Sequence, residues 1–376
     1  MIKENSVRLM LLLAVIVLAC FGCQTPVKYN NECYSANFQA VIDGEISDSM
    51  PGILLNVTSL THGINWSGAS GLNDWQQEIS LQADQTFRIA SVTKTFVAAT
   101  VLRLWEENKL SLDDYIAKYI SAEHAAILEQ GGYNPSQITI RHLLSHTSGM
   151  GDHTLTDKYT VDFLKDRPVW TRTQTLNDLV TLVEPEGTIG GQFSYSDTGY
   201  VLLGEIIETI TGQSMGDAIL EWLQLKELGL ANTYQEDFDG DFTGNRIHQY
   251  YQNQDTYNFH PSFDYYGGGG LLSTTSDLSL FFHSLFNHKV FAKASTLDTM
   301  LTSVINGADY TMDYRLGIWR IEVNGMEAYT HSGFWGTQVV YIPKMDMAIS
   351  VNYSQRWQNS SVAPVISKII DTIEKN

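Results

Sequence analysis

The chain has 376 residues, 43% hydrophobic and 17% charged, which is a globular composition too long for one small core. Its formal net charge is −19, from 42 Asp and Glu against 23 Lys and Arg, with no block rich in Lys or Arg. That balance repels nucleic acid and anionic membrane surfaces, so no nucleic acid is expected as a partner.

Lys3 and Arg8 precede an apolar run over residues 9–19. The run is too short for a bilayer span, which needs about 20 residues. A basic start and a short apolar run predict an export signal over residues 1–23, with the folded region over 24–376. Cys20 and Cys23 each stand where a bacterial lipoprotein signal places its lipidated cysteine, in "VLAC" and "CFGC", and either is a candidate. The expected location is the periplasmic side of a bacterial envelope, with membrane contact only through that lipid. Cys33 is the sole cysteine beyond the signal, so no disulfide framework is expected. A Cys23–Cys33 bridge would require Cys20 to be the mature end.

Residues 24–50 predict a tether and a first helix. "PGILLNVTSL" (51–60) and "THGINWSGASG" (61–71) predict two strands joined by a turn, rich in β-branched residues and bounded by glycine. Residues 91–107 switch to helical spacing. The middle of the chain reads as helical and loop-rich. "YVLLGEIIETITG" (200–212) predicts an amphipathic helix capped by Gly212. Thr274 and Asp277 fit a capping box for a helix through Phe282. Beyond residue 310, "LGIWRIEVNG", "QVVYIPK" and "MAISVNY" predict strands. Strands, then helices, then strands imply an α/β layer from about 35–85 and 300–376, with a helical part from about 86–299.

Three stretches could carry chemistry. In "FRIASVTKTFVAAT", Ser91 stands at a helix start and Lys94 lies one turn further in. A serine hydroxyl needs a base to become a nucleophile, and a desolvated lysine with a lowered pKa would serve. The competing reading is an N-cap serine with an exposed lysine. In "FSYSDTGYVLLGEIIE", Tyr195 and Asp197 occupy a polar turn before a helix expected to begin near Thr198. Tyr195 either offers its hydroxyl to a cleft or packs as an aromatic. In "YTHSGFWGTQ", His331, Ser332 and Gly333 lead into a strand, and the glycine would let a ligand approach closely. His142, His146 and His153 have partly zinc-like spacing but lack an HExxH glutamate, so no metal is expected. Gly267–Gly270 lacks a P-loop lysine and reads as a close approach lining a cleft.

In this order the three stretches resemble the S-x-x-K, Y-x-N and K/H-[ST]-G elements of the serine β-lactamase and penicillin-binding superfamily. The chain is most similar to the branch of class C β-lactamases, D-Ala-D-Ala carboxypeptidases, D-aminopeptidases and related esterases. "PGILLNV", "LDDYIAKYI", "ITIRHLLSHTSGM" and "GGGGLLSTTSDLSLFF" extend the resemblance over roughly residues 45 to 355. It implies an antiparallel sheet flanked by helices beside a mostly helical domain, with the site in the cleft between them. It also implies an acyl-enzyme at Ser91, with Lys94 and Tyr195 sharing proton transfer. By the same resemblance, the backbone N–H groups of Ser91 and Phe334 form the oxyanion hole, and His331 and Ser332 orient substrate. No cofactor is needed. The expected substrates are D-Ala-type peptides, cell-wall peptide among them, or small esters, acted on by a monomer. A class C-type β-lactamase and a non-catalytic penicillin-binding or sensor lipoprotein are the alternatives. Two departures matter: Asp197 stands where the family has asparagine, and an ionised aspartate only accepts hydrogen bonds. His331 stands where the β-lactamases have lysine, and at its ordinary pKa it would be partly charged.

Overall fold

Alternation along the first long strand decides the architecture. Ile53, Leu55 and Val57 belong to one buried apolar cluster, while Leu54 between them belongs to another. A strand with apolar side chains on both faces must be covered on both faces. The structure is a computed structural model that describes residues 29–239, 245–305, 313–356 and 362–375. The expected export signal, with Cys20 and Cys23, lies outside the described residues.

The main sheet has eight strands: β1 (Gly52–Ser59), β2 (Ile64–Asp74), β3 (Ile79–Ser80), β4 (Asp313–Tyr314), β5 (Trp319–Val323), β6 (Met326–Gly333), β7 (Thr337–Ile342) and β8 (Met347–Tyr353). Their order is β3-β2-β1-β8-β7-β6-β5-β4, and every neighbouring pair is antiparallel. The two ends of the chain meet at the β1–β8 pair, with Leu55 opposite Val351. Both strands are buried along their whole length.

Five helices matter for the site. Helices α1 (Glu32–Asp43) and α5 (Ala363–Glu374) cover one face of the sheet. Val365, Ile366, Ile369, Ile370 and Ile373 recur at helical spacing and join Phe38 and Ile42 against Ile349 and Val351. On the other face lies α4 (Thr275–Phe286), packed across β1, β7 and β8, with Ser279 Oγ 2.9 Å from Ser350 Oγ. Beyond α4 lies α2 (Thr93–Glu106), whose residues are buried from Thr93 through Leu102. Phe96 stacks on Phe281 with ring centroids 3.8 Å apart. Truncating such a phenylalanine to alanine costs about 3–5 kcal/mol. Helix α3 (Asp197–Thr211) crosses α2 and ends at Gly212, whose φ of 70° supplies the left-handed C-cap.

Several boundaries differ from expectation. The helix after Thr274 continues to Phe286, and only half of the expected capping box forms. Thr274 Oγ1 accepts from Asp277 N (3.1 Å), but the Asp277 carboxylate turns to Asn232 N (2.8 Å) and Thr233 Oγ1 (3.1 Å). Helix α3 begins at Asp197 rather than near Thr198, and the segment over 91–107 opens as a 3-10 turn, Ala90–Val92, before α2. That turn lies against β6 and β7, which brings the start of α2 against two interior strands of the sheet.

Candidate active site

The short strand Phe87–Arg88, paired to Leu271–Ser273, feeds the chain into the turn. Ala90 there adopts φ 46°, a left-handed conformation that costs a residue with a Cβ roughly 1–2 kcal/mol. The kink sets Ser91 half-buried at the head of α2. Ser91 is not the helix cap: the N-cap is Val92, and no side chain bonds the free N–H groups there. The Ser91 hydroxyl instead meets Lys94.

Lys94 is fully buried. Its Nζ donates to Ser91 Oγ (3.0 Å), to the Gly268 carbonyl (2.6 Å) and, by a short bond, to Asp197 Oδ1. An ammonium has three N–H donors, and these are three acceptors. Burial alone pulls the Lys94 pKa down, but the Asp197 carboxylate, Tyr195 and Asp264 together more than offset it, and the net shift is upward. The sequence predicts a depressed lysine; the structure reverses the sign. Aspartate at position 197 is the reason, because a neutral asparagine would leave burial less opposed.

The partners come from distant elements. Asp197 opens α3, where a helix N-terminus favours a carboxylate. Gly268 arrives on the glycine segment. A Cβ on Gly267 (φ 123°) would lie 2.4 Å from the Tyr200 carbonyl, and one on Gly270 (φ 105°) would lie 2.5 Å from that of Tyr265. The glycines thus let the segment thread against α3 and present a carbonyl to Lys94, the close approach expected from sequence.

Tyr195 lies half-buried with its ring 5.1 Å from Lys94 Nζ. Burial pushes its hydroxyl pKa up, Lys94 partly opposes this, and hydrogen bonding to Ser91 and Lys94 lowers it further; the net shift is upward, so the phenol is protonated at neutral pH. His146 packs on the Tyr195 ring at 4.1 Å, and its Nδ1 accepts from Ser196 N (3.1 Å). His142 caps the helix Ile140–Leu144, and His153 Nδ1 bonds Thr198 Oγ1 (2.9 Å). The three histidines thus have separate structural partners, and among the described residues no group of His, Cys, Asp and Glu is arranged to hold a metal.

The β6 edge differs most from expectation. His331 is buried: its Nδ1–H donates to the Ser332 carbonyl (2.9 Å), so Nε2 accepts from Tyr314 O–H (3.1 Å). Burial, then the Lys94 charge, pushes its pKa down to about 3, so it is neutral rather than partly charged at neutral pH. Ser332 points outward and is exposed. Gly333 does not leave room for a ligand: a Cβ there would lie 2.1 Å from the Ile89 carbonyl, so the glycine admits the strand feeding Ser91. Phe334 is half-buried in a cavity wall.

That cavity holds about 280 Å³ and is lined by Ser91, Asp197, Phe163, Phe263, Asp264 and Phe334, among others. Sequence reasoning missed two buried carboxyls that feel the Asp197 charge, of which Asp264 lines the cavity. Burial, then the Asp197 charge, pushes Asp264 up to about 8, with Lys94 partly opposing the shift. Buried Asp152 is pushed up to about 7 by the same two causes. No local motif marks either residue, because each shift arises from burial and from the Asp197 charge, which only the folded packing brings to it.

A family model described as Beta-lactamase matches residues 44–367. Penicillin-binding protein 4* of Bacillus subtilis (strain 168) is 27% identical over 288 residues, 70% of this chain and 59% of that protein. The chain spans 59% and 51% of the first two curated relatives it matches. Among solved structures, a D-stereospecific amidohydrolase from Streptomyces sp. superposes with a TM-score of 0.74 at 25% identity, covering 89% of this chain and 97% of that one. The D-amino acid amidase of Ochrobactrum anthropi SV3, complexed with D-phenylalanine, gives 0.74 at 19% identity, covering 91% and 99%. The family match covers the whole main sheet and all of the Ser91 surroundings: the chain belongs to the Beta-lactamase family, within the serine β-lactamase and penicillin-binding superfamily.

Proposed function

We propose that this chain is a serine hydrolase that forms an acyl-enzyme at Ser91 and acts on D-Ala-type peptides, D-amino-acid amides or small esters. The observation that carries the reading is a serine hydroxyl 3.0 Å from a fully buried lysine, at the wall of a cavity large enough for a small acyl group. The names of the relatives supply the substrate classes.

In this mechanism Lys94 starts as an ammonium and has no room for another proton. It first passes one to Asp197 along their short hydrogen bond, leaving an amine beside a carboxylic acid. Ser91 Oγ then bonds to the carbonyl carbon while the amine takes the serine proton. The backbone N–H groups of Ser91 and Phe334 receive the oxyanion, a contribution typically worth about 3–4 kcal/mol per donor. Tyr195 gives its hydroxyl proton to the leaving group as the bond to carbon breaks, and Lys94 reprotonates Tyr195. The net transfer is one proton from Ser91 to the leaving group. Water then releases the acyl group by the reverse sequence. His331 acts as a positioning residue on the buried side of β6, and Ser332 meets substrate on the exposed side.

Neutral His331 offers no full charge to the carboxylate of a β-lactam, which ranks those compounds below esters and amides. The test compares a p-nitrophenyl ester, a D-amino-acid amide, a D-Ala-D-Ala peptide and a chromogenic cephalosporin on wild type and Ser91→Ala. The reading expects turnover of an ester, amide or peptide that disappears in the variant. Turnover that survives Ser91→Ala refutes it, and fastest turnover of the cephalosporin by a wide margin makes the protein a β-lactamase instead.

We also propose export and anchoring to a bacterial envelope through lipidated Cys20 or Cys23, from Lys3, Arg8 and the apolar run over 9–19. Mass spectrometry of the mature N-terminus decides this: an unmodified terminus beyond Cys23 refutes the anchor.

A further inference from the structure

The cavity beside Ser91 carries a guanidinium with no acceptor among the described residues, that of Arg356. Its guanidinium carbon lies 3.7 Å from the centroid of the Phe334 ring and 5.3 Å from that of Tyr251, and both rings line the cavity. Its backbone N–H is held by the Tyr250 carbonyl (2.9 Å), but its side chain makes no ion pair or hydrogen bond among the described residues. This is unusual in a chain with 42 acidic residues and 23 Lys and Arg. The buried arginines nearby, Arg88 and Arg246, both pair with Glu236 at 2.8 Å. A guanidinium at a cavity wall with no protein acceptor is suited to a ligand that supplies one.

We infer that Arg356 forms a subsite for an anionic group, a carboxylate carried on the acyl portion of the substrate. The inference rests on Ser91 as the residue that receives that acyl group. A planar guanidinium matches a carboxylate with two parallel hydrogen bonds. Stacking on Phe334 fixes its plane and leaves its edge free to donate. Phe163 and Phe263 line the cavity with apolar surface, which suits the carbon chain between the two ends. At about 280 Å³ the cavity is at the small end of ligand sites, which favours a short dicarboxylic acyl group over a long peptide. The acidic residues that share the cavity do not oppose this: Asp197 is paired with Lys94, and Asp264 is held protonated at neutral pH.

Two pairs of probes test the subsite. Binding is measured by calorimetry with 4-benzoylbutyrate and with butyrophenone, ketones that cannot be hydrolysed and differ in the carboxylate. Turnover is measured with 4-nitrophenyl hydrogen glutarate and with 4-nitrophenyl butyrate. The wild type is expected to bind the anionic ketone at least about tenfold more tightly, as a charge-assisted hydrogen-bonded pair implies. The kcat/KM ratio of the two esters should favour the glutarate similarly. Arg356→Gln should bring both ratios near one, and Arg356→Lys should keep part of each. The proposal is overturned if the wild type shows no anionic preference or binds neither ketone. It is equally overturned if the preference survives Arg356→Gln. Should Arg356→Gln fail to fold, the wild-type ratio and Arg356→Lys still decide. Ester turnover that persists in Ser91→Ala would refute the nucleophile, while the ketone ratio would still decide the subsite.

Discussion

Asp197→Asn removes the carboxylate that holds Lys94 charged while keeping a side chain of the same shape. Two unit charges about 4 Å apart interact by about 4 kcal/mol at an effective dielectric constant of about 20. One pKa unit is about 1.36 kcal/mol, so the Lys94 pKa should fall by about 3 units. The hydrogen-bonded pair is closer than 4 Å, which makes this a lower bound. Burial is then opposed only by Tyr195 and Asp264, and Lys94 should titrate at least about 3 units lower than in the wild type. Stability should change with it. A lysine with a raised folded pKa contributes stability that is complete below the unfolded pKa and is lost as pH rises through the folded one. At pH 7 the wild type therefore has that contribution in full, and the variant loses much of it. Breaking a buried pair costs about 3–5 kcal/mol; the low end applies, because the Asp197 side chain is 18% exposed and asparagine can still accept a bond. The assay is NMR of ¹³Cε-labelled lysine, with the signal assigned by Lys94→Ala. In the wild type Lys94 should stay an ammonium through pH 10.5, and in Asp197→Asn its titration should move down by at least about 3 units. A Lys94 titration that does not move would refute the electrostatic account of the site.

Lys94→Ala and Tyr195→Phe should each slow acylation at least about 10²-fold, the usual scale for losing a general acid or base. Their double variant should be far less than multiplicatively worse if the two act as one relay, as single-turnover rates would show. Gly333→Ala should cost about 1–3 kcal/mol in chemical denaturation, because the new Cβ meets the Ile89 carbonyl and forces β6 away from the turn carrying Ser91. Asp264→Asn should stabilise the fold more at pH 9 than at pH 4. A carboxyl raised to about 8 weakens the folded state progressively as pH rises from its unfolded pKa through that value, which thermal unfolding at the two pH values would read.

The strands at both ends of the chain and the helix ending at Gly212 were legible in the sequence because local periodicity and turn chemistry specify them. Ser91, Lys94 and Tyr195 could be singled out because each sits in a short motif. Their electrostatics were not legible. The sign of the Lys94 shift depends on Asp197, which is 103 positions away in sequence, and on Gly268, which is 174 away. Burial of His331 depends on Tyr314 and on the packing behind β6, so its motif position gave the wrong charge state. Gly333 was identified as a close approach, but which backbone approaches it is a property of the assembled sheet. Asp264 and Arg356 carry no motif and come together only through the cavity wall.

The central claim is that Ser91 becomes acylated. Intact-protein mass spectrometry after rapid quenching, with an activated ester as the acyl donor, measures this directly, and peptide mapping locates the adduct. The account predicts a mass increase of one acyl group on the peptide containing Ser91 in the wild type, and none in Ser91→Ala. An adduct on another residue, or one that forms at the same rate in Ser91→Ala, would contradict it.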